Sequence, residues 1–370
     1  MKTKIKLPLV IPDLSGNEKR YLNDCLNSTW ISSTGKYLEL FEKQFAAFTG
    51  TRYALATSNG TTALHLVLAA LDVSAGDEVI VPDFTFIATA NAVSFVGAKA
   101  VLADVDRSSW NINPEEIRKK ITHRTCGIIA VHLYGNPAGM GEILEIARER
   151  NLWVLEDAAE AHGAEYRING PKKVGSMGIA GIFSFYGNKI ITTGEGGMVT
   201  TDDSKLFKKM EILRDHGQKP DRHYFHPKIG FNYRMTNMQA AIGLAQLERI
   251  NKFLEIRDAI SRRYQQQLEG IEGINFVKNH PDKKNVCWLF SMTVDRPYKL
   301  SRDRLIELLS KNGIDSRPFF IPINRQPPYF MIGSFEISEY LSGHGINLPT
   351  FTTMTFRQID TVCRIIRKYG

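Results

Sequence analysis

Only four cysteines occur in the 370 residues, Cys25, Cys126, Cys287 and Cys363, and none stand at the Cys-x-x-Cys spacing that metal and redox motifs use. They are expected to be reduced, structural thiols. No run of about 18 apolar residues is present, so no membrane partner is expected. The start, Met1 to Leu9, alternates lysines with apolar residues and lacks the hydrophobic stretch of a secretory signal, which makes the cytoplasm the expected location. His216, His223 and His226 cluster without a carboxylate or thiol at ligand spacing, so no metal is expected. Also missing are G-x-G-x-x-G after the first apolar strand, G-x-x-x-x-G-K-[ST] and G-x-S-x-G, which removes the defining features of Rossmann dehydrogenases, P-loop kinases and α/β-hydrolases.

What is present is material for a core. Apolar residues make up 43% of the chain and charged residues 23%, enough for one large core or two smaller ones. Lys plus Arg number 47 against 39 for Asp plus Glu, a formal net charge of +8. That balance suits an anionic small substrate. The basic residues are dispersed, with no aromatic-interleaved stripe, so nucleic acid is not an expected partner.

Along the chain, residues 15–50 predict two helices: Ser15 with Glu18 fits a capping box, and the stripe Leu38, Phe41, Phe45 closes at Gly50. Short apolar runs then alternate with helical stretches such as Glu142 to Arg150. The runs Tyr53–Thr57, Glu78–Val81, Ala100–Val105, Gly127–Val131 and Leu152–Leu155 predict buried strands of a mostly parallel, helix-covered α/β sheet. The stripe Leu244, Leu247, Ile250, Leu254 predicts one long helix over 237–268. Beyond it, a strand at Val286–Val294 and a helix at 302–312 suggest a smaller α+β domain, dividing the chain into 1–245 and 246–370.

In an open α/β sheet, ligands bind beyond the carboxyl ends of the strands. Three such places carry chemistry. Ser58-Asn59-Gly60-Thr61-Thr62 leads from a strand into a helix N-terminus, where backbone N–H groups suit a phosphate, although an ordinary Asn-Gly turn with a Thr cap fits the same letters. Glu156-Asp157 ends a strand, where a carboxylate can hold a pyridinium N–H, bind a metal or cap a helix; Glu160 and His162 follow. Lys189 lies between the apolar Phe183-Ser184-Phe185 and the Gly-rich Thr192–Gly197, where desolvation favours a neutral, nucleophilic amine; alone, a merely solvated lysine is the commoner reading. Together, a phosphate turn, an acidic strand end and a lysine some thirty residues on are the parts of a pyridoxal 5'-phosphate site.

These blocks, with Ser28-Thr29-Trp30-Ile31-Ser32-Ser33, His132-Leu133-Tyr134-Gly135, Asn232-Tyr233-Arg234-Met235-Thr236-Asn237 and Gly345-Ile346-Asn347-Leu348-Pro349 in order over nearly the whole chain, resemble the DegT/DnrJ/EryC1/StrS sugar aminotransferases. The resemblance implies the fold-type I aminotransferase architecture: a large domain with a mostly parallel, seven-stranded mixed sheet flanked by helices, and a smaller C-terminal α+β domain. It implies that Lys189 is the Schiff-base lysine and general base, that Asp157 pairs with the pyridine nitrogen and Glu160 lies near the phenolic oxygen, and that Phe86 stacks on the ring. Gly60, Thr61 and Ser184 then hold the phosphate. Asn232 reaches the phosphate of a neighbouring subunit, which makes the protein a homodimer with shared sites. An aromatic such as Phe86 fits a core position equally well.

The implied reaction moves an amino group from L-glutamate to a keto sugar, typically GDP-4-keto-6-deoxymannose, in lipopolysaccharide O-antigen synthesis. A related dehydratase has histidine where Lys189 stands, so the lysine favours amine transfer. Trp30, Ser32, Arg317, Asn324 and Arg325 are candidate sugar contacts. Relatives acting on this substrate usually have histidine at the position of Asn324, which keeps open an eight-carbon keto-acid sugar, an 8-keto octulosonate, as acceptor. A non-catalytic regulator on the same fold is the alternative of another class.

Overall fold

β-branched and small apolar residues build the central layer of the computed structural model, which describes residues 6–370 apart from Asn169, Pro220 and Asn279. Strands β1 (Tyr53–Thr57), β2 (Glu78–Pro82), β3 (Lys99–Ala103), β4 (Thr125–Val131) and β5 (Trp153–Asp157) match the predicted runs to within about two residues. Two short strands, β6 (Glu165–Arg167) and β7 (Pro171–Lys173), form a hairpin, and β8 (Ala180–Ser184) and β9 (Gly197–Thr201) complete the layer. The order is β1-β9-β8-β5-β4-β2-β3. Only β9 runs against its neighbours, so the sheet is the expected seven-stranded mixed one. Val79, Ile80 and Val81 are fully buried, as strands covered by helices on both faces must be.

Helix α2 (Lys36–Thr49) buries Leu38, Phe41 and Phe45 and stops at Gly50, whose φ of +80° turns its N–H back to Ala46 O. The predicted capping box of α1 (Glu18–Ser28) does not form: Asn17 is the cap position, and Ser15 Oγ donates to Asp13 Oδ1 at 2.6 Å. The stretch 237–268 is two helices, Asn237–Leu247 and Ile250–Leu268. At the break, Arg249 leaves helical geometry and forms a bidentate pair with Asp13, with N···O distances of 3.1 and 3.0 Å.

Beyond the second of these helices lies a four-stranded antiparallel sheet. Strands β10 (Ile274–Asn275), β12 (Phe290–Val294), β13 (Arg317–Pro318) and β14 (Gly345–Leu348) take the order β10-β12-β14-β13. Its apolar face packs on the helices Ile250–Leu268, Arg302–Lys311 and Phe356–Arg367, and Leu7 joins that core from the other end of the chain. β11 (Lys283–Lys284) pairs with β6, so that β11, β6 and β7 form a separate three-stranded sheet that ties the later segment to the hairpin. Among the described residues no helix is long and apolar enough to cross a membrane, and no group of three metal-ligating side chains forms.

Candidate active site

The C-terminal ends of β1, β2, β4, β5 and β8 open on one edge of the sheet, and the predicted residues gather there. After β1 the chain turns into helix α3 (Gly60–Ala70). Asn59 caps it, accepting from Thr62 N–H at 2.8 Å while its own N–H donates to Thr62 Oγ1 at 3.1 Å. With Thr62 N–H taken by the cap, Gly60 and Thr61 present N–H groups that no helical carbonyl can reach. A Cβ on Gly60 would stand 3.0 Å from Ser184 Cβ at the end of β8, so only glycine lets the turn and the serine approach this closely.

Adjacent carboxylates at the end of β5 point to opposite faces, as strand geometry requires. Glu156 is fully buried and accepts from Gly175, Met177 and Gly178 N–H at 2.8, 2.6 and 2.8 Å. It also meets His132 Nε2 at 3.0 Å; His132 Nδ1 accepts from Ala138 N–H, so Nε2 is the donor. Asp157 has fewer partners: Thr89 Oγ1, from helix α4 (Ala88–Phe95), at 2.8 Å and Ala159 N–H at 3.2 Å. Burial pushes the Asp157 carboxyl above its ordinary value, against the Thr89 hydrogen bond. A desolvated carboxylate with unused lone pairs is a partner for a cationic N–H.

Lys189 lies beside a third carboxylate, Glu160. Its Nζ is 3.6 Å from Glu160 Oε1 and 4.0 Å from the centre of the Trp288 ring, and its side chain is 12% exposed. A carboxylate and an indole face thus flank the largely buried amine. Burial raises the Glu160 carboxyl above its ordinary value, with Lys189 opposing. Glu160 Oε2 accepts from Tyr134 N–H at 2.9 Å; Tyr134 holds left-handed backbone (φ +52°) after β4, and its buried ring stacks near Phe320. Trp288 is fixed on three sides: Nε1 donates to Asn188 O at 2.7 Å, N–H to Tyr134 O at 3.2 Å, and its carbonyl accepts from Arg257 Nη1 at 2.8 Å.

The remaining candidates divide. Phe86 is 56% exposed at the end of the loop after β2, 5.9 Å from Phe320, so it is no core residue. His162 is a core residue: it packs between Phe183 and Phe185, and burial pushes it down to about 3. Asn232 is exposed, with its backbone bridged to Asp215, next to Tyr233, whose carbonyl accepts from Ser58 N–H at 2.8 Å. Trp30 and Ser32 lie on an exposed segment held by Asn237, whose Nδ2 donates to Trp30 O and N–H to Ser32 O. Arg317 is exposed, and Arg325 is ion-paired with Glu339. Asn324 is buried, and its N–H donates to Asp83 Oδ1 at 2.7 Å. Tyr134, Thr89 and Trp288 were missed, since none carries a sequence signal distinguishing it from an ordinary core or helix residue.

The profile of the DegT/DnrJ/EryC1/StrS aminotransferase family matches residues 12–367. GDP-perosamine synthase of Caulobacter vibrioides is 46% identical over 96% of each chain, and GDP-perosamine synthase of Escherichia coli O157:H7 is 42% identical over 98% of each. Among solved structures, DesV of S. venezuelae superposes with a TM-score of 0.92 at 32% identity, over 99% of both chains. With the lysine, the strand-end carboxylate and the glycine turn assembled on one edge, the chain belongs to the DegT/DnrJ/EryC1/StrS aminotransferase family.

Proposed function

We propose that the protein transfers an amino group from L-glutamate to a nucleotide-linked keto sugar, GDP-4-keto-6-deoxymannose, with pyridoxal 5'-phosphate as cofactor, as a cytoplasmic homodimer. The observation that carries this is the convergence of Lys189 Nζ, Asp157 and the Gly60–Ser184 cradle at the carboxyl edge of one sheet. The named activity of the 46% and 42% identical relatives supports the choice of sugar.

The residues present fit the cofactor. Gly60 leaves room that a Cβ would fill, and the N–H groups of Gly60 and Thr61 with Ser184 Oγ are donors for a phosphate. Asp157, desolvated and anchored by Thr89, is placed to hold a protonated ring nitrogen. Phe86 offers an exposed aromatic face. When bound, the cofactor supplies an electron sink for the carbon that loses its proton. Lys189 Nζ then carries that proton, acting as base and acid in turn. Glu160, held by Tyr134 N–H, keeps a carboxyl group 3.6 Å from the amine. Glutamate leaves as 2-oxoglutarate, and the nitrogen goes to the ketone carbon. Asn232, exposed on its own chain, is assigned to the second subunit's phosphate, and Trp30, Ser32, Arg317, Asn324 and Arg325 to the sugar side of the cleft.

The test is a reaction of protein, pyridoxal phosphate, glutamate and the GDP-linked ketone. The expected outcome is an amino-sugar nucleotide by mass spectrometry, and its loss by about a thousandfold or more in Lys189→Ala with the fold retained. Borohydride should fix a pyridoxyl group on Lys189. Conversion of a keto-octulosonate in place of the GDP sugar would overturn the assigned substrate, and turnover by the alanine variant would overturn the mechanism.

A further inference from the structure

We propose that Trp288 is the holding site of the Lys189 ammonium when the amine is not engaged with the cofactor, an inference that rests on Lys189 being the working amine. Transfer in two half-reactions frees the lysine between them, and a freed flexible side chain needs a defined resting place within reach of the reacting carbon. The geometry supplies one. Nζ stands 4.0 Å from the centre of the indole ring, within the range of a cation–π contact, and Trp288 is only 4% exposed, so the contact is desolvated and correspondingly strong.

The indole is held by the residues it serves. Trp288 Nε1 donates to the carbonyl of Asn188, the residue preceding the lysine, at 2.7 Å. Trp288 N–H donates to Tyr134 O at 3.2 Å, while Tyr134 N–H donates to Glu160 Oε2, the carboxylate on the other flank of Nζ. Arg257 completes the setting. Buried, and with no carboxylate partner among the described residues, it spends Nη1 on the carbonyl of Trp288 at 2.8 Å. The hydrogen bonds thus connect both partners of the ammonium, so ring and carboxylate are fixed relative to each other. A ring serving only as a wall needs neither its Nε1 tied beside the lysine nor its face under Nζ.

The test uses apoprotein, without cofactor. Acetylation of Lys189 by acetic anhydride at one fixed pH is measured by peptide mass spectrometry against the exposed Lys368 in wild type, Trp288→Phe and Trp288→Leu. A held ammonium is withheld from the reagent, so the leucine variant should label about threefold faster or more, with the phenylalanine variant in between. Labelling of both variants at the wild-type rate, with native circular dichroism, overturns the proposal. Should the leucine variant not fold, Lys189→Met in the otherwise unaltered chain decides: it should shift the indole emission, and an unchanged emission overturns the holding role. Borohydride trapping at another lysine sinks both this role and the proposed function, whereas trapping at Lys189 with unchanged labelling sinks the holding role alone.

Discussion

Glu156 and Asp157 are neighbours in sequence and opposites in use. Glu156 has its two oxygens occupied by three backbone N–H groups and His132, so it ties β5 to the segment 175–178 and has no capacity left for a ligand. Asp157 accepts two hydrogen bonds, one of them long, and burial works against its charge. A buried carboxylate saturated by its own chain is architecture, whereas one left short of partners is an offer to something else. Asp83 is a third case: Oδ1 accepts from Asn324 N–H, while Oδ2 has no hydrogen-bond partner among the described residues.

The strongest way to break the comparison is Glu156→Ala. It strands three buried N–H groups and His132, and a loss of about 3–5 kcal/mol in denaturant unfolding is expected; a loss no larger than that of Asp157→Ala would erase the distinction. Asp157→Asn should do the reverse, costing about a hundredfold in turnover at nearly unchanged melting temperature. Next in size is Gly60→Ala, whose Cβ forces the turn from Ser184. Cofactor affinity, followed by absorbance titration, should fall about tenfold.

The smallest effect concerns Asp83, which burial pushes up to about 7 from 3.8, against the Asn324 hydrogen bond. Between those values the folded chain binds a proton that the unfolded chain releases, so this group's contribution to stability falls as pH rises. Asp83→Asn should therefore gain at least about 1 kcal/mol more at pH 8 than at pH 5 by chemical denaturation. Equal gains at both pH values would show that the carboxyl ionises freely.

Much of this was legible in the chain. The strands β1 to β5 announce themselves because a strand buried on both faces must be a short, continuous apolar run, and Lys189, Asp157 and Gly60 lie where strand ends meet small or charged residues. Which of Glu156 and Asp157 keeps free lone pairs is not legible from the residues without the family resemblance, because both follow the same apolar run and only the phase of the strand separates them. The break at Arg249 was hidden because the stripe continues across it, while the cause, Asp13, lies 236 positions away. Phe86 and His162 show the same limit: an aromatic ring reads as core or as ligand surface only when its neighbours are known.

Tyr134 joins these themes. A tyrosine in left-handed backbone costs on the order of 1–3 kcal/mol, and here that conformation aims one N–H at Glu160 while the ring packs with Phe320. Glycine would relax the backbone but remove the ring, and any other side chain would keep the strain without filling the same space. At this one position folding comfort and chemical readiness pull in opposite directions, and engineering for heat tolerance should leave it alone.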